Sequence, residues 1–232
     1  MADPALGRIT FRESGSREAA SADLAERIAA SLRRALAQRK VAHLVVSGGT
    51  SPVSFFHHLR EVELPWERVV VSPSDERDVP AGHPDRNDAM IQRELLAGPA
   101  AAGRLAGFLP RGDGPPVPGE LLEALPARFD AVVLGMGEDG HTASLFPDSP
   151  TIDSDLACTD LTVHVTVPRL GARRISLTPA ALLNTGQIDL LFFGSGKREV
   201  FEKAQRPGPA STYPVRVVLH QDRVPVRVSW AP

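Results

Sequence analysis

The sequence predicts an α/β fold of Rossmann-like type: one domain over residues 1–232, with a mainly parallel sheet and helices on both faces. Three observations predict it. Apolar runs such as "VAHLVV", "FDAVVLG" and "IDLLFFG" lack strict polar alternation, which suits strands buried on both faces. Segments with helical periodicity separate these runs, the order that builds parallel crossovers. Each run also stops on glycines or a polar loop, where sheets of this kind bind ligands.

The elements follow in order. Residues 16–40 form the clearest helix: Leu24, Ile28, Leu32 and Leu36 make one stripe at steps of four, with arginines on the other faces. "VAHLVVSGGTSP" is a core strand ending on two glycines. "FFHHL" then begins a helix, with Pro52 in its first turn. "RVVVSPSDE" is a strand followed by a charged loop, and "NDAMIQRELL" is a helix with Asn87 as its N-cap. "RGDGPPVPGE", residues 111–120, is too rich in proline and glycine for either element and reads as a loop. "FDAVVLGMG" is the third core strand. "RRISLTP", "AALLNTG", "IDLLFFGSG" and "KREVFEKAQ" then alternate as strand, helix, strand, helix. Residues 213–230 are expected to add an edge element, because Pro225 cannot donate to a central ladder.

Composition excludes several function classes. Apolar residues are 42% and charged residues 23% of the 232, ordinary globular usage. A net charge of −2 offers no footprint for nucleic acid or an acidic membrane surface. The single cysteine, Cys158, forbids an intramolecular disulfide and a cysteine zinc cluster. "MADPALGRITFRESGS" lacks the basic start and apolar core of a secretory signal, and no apolar stretch nears the roughly 20 residues that span a bilayer. The expectation is a cytoplasmic protein acting on a small molecule, as a monomer or small homo-oligomer.

The candidate chemistry sits at the strand ends. In "SGGTSP", Gly48 and Gly49 let the backbone approach an anion, and Thr50 and Ser51 add hydroxyls at a helix start. Taken alone, the same glycines equally make a plain strand-to-helix turn. Asp75, Glu76, Arg77 and Asp78 form a charge cluster in which Arg77 can fork onto a phosphate or carboxylate, or pair locally in a solvated loop. In "LGMGEDGHTASLFP", His141 can take a proton near neutrality, and Asp139 can hold its ring. Arg174 and Lys197 are cations at later strand ends, Lys197 at a helix start. Neither HExxH nor paired ligands at helical spacing are present, so no metal is expected.

"SGGTSP", "SDERDVPAGHPDRND", "GMGEDGHTASLFP", "RRISLTPAALLN" and "GSGKREVFEKA" occur here in the order found in 6-phosphogluconolactonases. The resemblance covers residues 41–204 and is most specific at "GEDGHTASLFP". It implies the fold of the sugar-phosphate isomerase superfamily, hydrolysis of 6-phosphoglucono-1,5-lactone to 6-phosphogluconate, and no cofactor. Carried over by motif, the glycine loop falls on Gly48, Gly49 and Thr50. The acid–arginine element falls on Asp75, Glu76 and Arg77, the general base on His141 with Asp139 before it, and the cations on Arg174 and Lys197. Family members commonly have Ser-Asn-Tyr after "HPD". Here Arg86, Asn87 and Asp88 follow, so Asn87 is kept as a substrate-binding candidate and Arg86 is a further cation for the phosphate. Ser144 is a candidate hydrogen-bonding group to substrate; no GxSxG elbow makes it a nucleophile. Two other functions compete: a glucosamine-6-phosphate deaminase, which resembles "Ile-Ala-Phe-Asn-Glu-Pro" where this chain has "ASLFP", and a non-catalytic sugar-phosphate sensor, expected to lack the acid–imidazole pair.

Overall fold

The computed structural model describes residues 9–80, 82–108 and 128–232; the loop expected over residues 111–120 lies outside them. Seven parallel strands form the main sheet, in the order β1 (Ile9–Glu13), β10 (Val226–Ala231), β9 (Ile188–Phe193), β6 (Ala131–Gly135), β2 (Ala42–Val46), β3 (Val69–Pro73), β5 (Arg104–Leu105). Successive residues of the central strands point to opposite faces, and both faces are covered. In β2, Leu44 and Val46 join one apolar cluster and Val45 the other; in β6, Ala131 and Val133 face one side, Val132 and Leu134 the other. That two-sided burial is why these strands read as unbroken apolar runs.

Helix α1 (Arg17–Gln38) starts as expected, with Ser16 as its N-cap accepting from the Ala19 N–H. Its stripe of Leu24, Ile28 and Leu32 is wholly buried beside α2 (Val53–Arg60), in an apolar cluster that also takes in Ile91 of α3 (Asn87–Glu94). Burying each such side chain stabilises the fold by roughly 1.5–3 kcal/mol. The opposite face is covered by the short α5 (Pro179–Leu182), α6 (Ser195–Ala204) and α7 (Arg216–Leu219), which follow α4 (Ile152–Ala157) in the chain. Among the described residues, no helix is long and apolar enough to cross a membrane.

Three expectations change. "RRISLTP" does not join the parallel sheet: β8 (Ala172–Leu177) lies between β4 (Asp75–Arg77) and β7 (Thr162–Val167) in a separate antiparallel sheet. The charged "DER" is thus a strand, not a loop, with Asp75 and Glu76 buried. The C-terminal segment is not an edge either: β10 pairs with β1 on one side and β9 on the other. Pro225 precedes the strand, so its missing N–H removes no rung, and the edge belongs to β1, which sequence patterning did not single out.

Candidate active site

The carboxyl ends of β2, β6 and β9 open onto one cleft with a cavity of ≈ 250 Å³, against which β4 and β8 of the small sheet stand. Gly48, Gly49, Thr50, Asp75, Arg77, Asn87, His141, Arg174 and Lys197 all line it. The glycine loop passes from β2 to α2, and the backbone N–H groups of Gly48, Gly49 and Thr50 have no partner among the described residues. Gly48 is required by crowding: a Cβ there would sit 2.0 Å from Asn87 Oδ1.

Beyond β6, the chain turns through Gly137 and Gly140 to present the acid and the imidazole. His141 Nδ1 lies 2.5 Å from Asp139 Oδ1, and the His141 N–H donates to the same oxygen at 3.1 Å. A Cβ on Gly137 would fall 2.1 Å from His141 Nδ1, so only glycine admits this pairing. Half-burial pushes the Asp139 carboxyl upward, but its bonds to His141 and the field of Arg169 outweigh that, and the acid ends well below the usual carboxylate range. The imidazole packs 4.2 Å from the Phe146 ring centre. With Nδ1 held by Asp139, Nε2 has no hydrogen-bond partner among the described residues. Ala143, also on the cleft wall, has a positive φ of 49°, strained for a non-glycine residue.

The cations come from two directions. Arg77 and Arg174 are direct cross-strand partners of β4 and β8. Like charges opposite one another are destabilising, so this register favours an anion between or beside them. Burial lowers the Arg174 guanidinium from its ordinary value, Arg77 adds to that, and Asp75 at 3.9 Å opposes it. Arg174 Nε is buried with no hydrogen-bond partner. Lys197 enters from the first turn of α6, with no ion pair among the described residues. Burial lowers its amine, while Glu138 and Asp139 favour its charge.

Several predicted residues take other positions. Ser144 is fully buried; its Oγ donates to Asp75 Oδ2 at 2.6 Å, and it is absent from the cleft wall. It therefore supports Asp75, whose other oxygen accepts from Ser74 at 2.8 Å, rather than facing the cavity. Arg86 is not a cleft cation: it is buried, with Nε 2.8 Å from Asp88 Oδ1 and a second bond from its guanidinium to the same carboxylate. Asn87 is the first residue of α3 rather than its cap. Its Nδ2 donates to Asp75 O at 2.8 Å, and its buried Oδ1 is unpartnered.

The cap comes from Glu76, which the sequence placed in the acid–arginine element without a task. One oxygen accepts from the N–H groups of Arg77 (2.7 Å) and Asn87 (2.8 Å), the other from Asp88 (2.8 Å). Burial raises this carboxyl above its usual value, and the three bonds oppose the rise. Arg169, which bonds Asp139 and lies 2.8 Å from Asp148, also went unnoticed. Its position in "VPRLGARR" carries no local signal, because Asp139 is thirty residues away.

The family model of glucosamine-6-phosphate isomerases and 6-phosphogluconolactonases matches residues 15–230. The chain belongs to this family. It is 40% identical over 215 residues to a 6-phosphogluconolactonase of Mesorhizobium japonicum, covering 90% of each chain. It is 39% identical over 225 residues to one of Pseudomonas aeruginosa, covering 94% of this chain and 93% of that one. The solved structure of a 6-phosphogluconolactonase from Shewanella baltica superposes with a TM-score of 0.91 at 32% identity, over 98% of this chain and 99% of the other. The family's α/β fold, expected from the motifs, is the one seen here.

Proposed function

We propose that this enzyme hydrolyses 6-phospho-D-glucono-1,5-lactone to 6-phospho-D-gluconate, with His141 as general base. By kinship it is an enzyme of the 6-phosphogluconolactonase type. The observation that carries the mechanism is His141 on the wall of a cleft whose other charged groups are mostly cationic, with Asp139 held against its Nδ1 from outside that wall.

A lactone is an ester, so its hydrolysis needs an activated water and a stabilised oxyanion. Asp139 accepts the Nδ1 proton of neutral His141, which leaves Nε2 as the basic nitrogen of a residue that lines the cavity. Nε2 takes a proton from water as the oxygen attacks C1; the C1–O5 bond then breaks, and the ring oxygen leaves with a proton returned from the imidazolium. Help of this kind is worth about 10²–10⁴-fold in rate. The phosphate sits on the Gly48–Gly49–Thr50 loop with Arg174 and with Lys197, which makes no ion pair among the described residues, and its binding energy places C1 against the water. Arg77, across the strand pair from Arg174, is the side chain assigned to the developing oxyanion. Asp75 and Asn87, fixed to each other, face the sugar hydroxyls.

The test is proton release from freshly made lactone, corrected for spontaneous hydrolysis, with wild type and His141→Ala. Turnover by wild type that the variant loses supports the reading. Turnover kept by the variant removes His141 from the base role, and no turnover by wild type removes the lactone.

A further inference from the structure

Arg169 lies outside the cleft wall yet touches the groups that set its chemistry. It sits in the short turn between β7 and β8, and its guanidinium bonds Asp139 Oδ2, the oxygen that His141 does not use. Its Nε lies 2.8 Å from Asp148 Oδ2, and its Cζ is 5.3 Å from the Phe146 ring centre. Phe146 is also the ring against which His141 and Arg174 lie. One arginine thus ties together the acid behind the imidazole and the ring beside it.

We propose that Arg169 is a positioning residue for the reaction: bridging Asp139 and Asp148 across Phe146, it holds the Asp139 carboxylate on the Nδ1 side of His141 and limits how strongly that carboxylate raises the imidazole's proton affinity. The inference rests on the general-base reading above. The physical argument concerns sign. A bare carboxylate at 2.5 Å favours the charged imidazolium over the neutral base. A guanidinium on the far oxygen draws off part of that field while keeping the hydrogen bond that selects the Nε2-basic tautomer. Asp148 in turn divides the charge of Arg169. The other charged groups around the imidazole are Glu138 on its own turn, Arg77 and Asp75 from β4, Arg174 from β8 and Lys197 from α6. None of these makes an ion pair with Asp139.

The experiment is an NMR titration of the His141 ring in the free protein, its signal assigned by its loss in His141→Gln, alongside the pH profile of kcat/KM for the lactone. In Arg169→Met the His141 pKa rises by about half to one unit, and the acid limb of the profile moves up with it. Arg169→Lys restores most of the wild-type position. Asp148→Asn, which frees Arg169 for Asp139 alone, moves the His141 pKa the other way, so the sign is tested even if Arg169→Met folds poorly. An unmoved His141 pKa in Arg169→Met overturns the proposal, and so does an Asp148→Asn shift in the same direction as Arg169→Met. Weaker binding of 6-phosphogluconate with an unmoved pKa overturns it in favour of a direct ligand contact. The NMR titration needs no substrate, so failure of lactone hydrolysis would sink the function without touching this result.

Discussion

The two ends of the parallel sheet handle charge in opposite ways. Near the amino ends, buried acids lie against arginines, although Arg27 Nε and His43 Nδ1 are buried without hydrogen-bond partners. Asp189, 1% exposed in β9, faces Arg27 of α1 at 3.4 Å, and Arg27 also bonds Ser229 at 2.7 Å and Asp23. Asp130 pairs with Arg39 and accepts the His43 N–H at 2.8 Å. At the carboxyl ends, Arg174 Nε and Asn87 Oδ1 are buried without partners, two arginines stand opposite each other, and Lys197 makes no ion pair among the described residues. The first arrangement sets opposite charges together, whereas the second sets two arginines opposite each other and a lysine beside a cavity. Opposite charges stabilise one end, while like charges brought together at the other are the kind of local conflict expected where a site is proposed.

The comparison breaks most visibly at His141. His141→Ala is expected to cut kcat by about 10²–10⁴-fold while binding of 6-phosphogluconate changes little, read by pH-stat kinetics and calorimetry. At the amino end, Asp189→Ala removes one half of a buried pair and should cost about 3 kcal/mol of stability in urea unfolding. The folded fraction should keep wild-type kcat; a lost kcat would mean the two ends are not independent. Lys197→Met is the converse case. Affinity for 6-phosphogluconate should fall by roughly ten- to a hundredfold, as for loss of one charged hydrogen bond, with the thermal midpoint unchanged or higher. A lowered midpoint would mean that Lys197 is a structural cation after all.

The smallest effect is one of pH. Burial favours the neutral Lys197 amine, so it loses its proton at a lower pH than a surface lysine. An unfolded chain holds that proton more tightly, so the group opposes folding at neutral pH, and the opposition fades as pH rises past the ordinary lysine value. A bound phosphate restores the ammonium. Binding of 6-phosphogluconate should therefore take up protons at alkaline pH, seen as a buffer-dependent heat, and Lys197→Arg should abolish the uptake.

By itself, the sequence determined the fold class and most of the cleft. Apolar runs without alternation report two-sided burial, and the helical stripe of Leu24, Ile28 and Leu32 reports a covered face; both are local consequences of strand and helix geometry. The glycine loop, the Asp139–His141 turn and Lys197 were legible as candidates because each group lies within a few residues of its strand end. What only the tertiary structure decided depends on contacts between distant segments. The small antiparallel sheet sets Arg77 opposite Arg174, Glu76 caps a helix eleven residues on, Ser144 turns inward to Asp75, and Arg169 reaches Asp139 across thirty residues. Strand order is likewise silent in the chain: β10 reads as an edge because a proline precedes it, yet it lies inside because the unheralded β1 pairs with its outer side. Local periodicity records which face of an element is buried, but not which partner buries it, and in this cleft the partners set the charge.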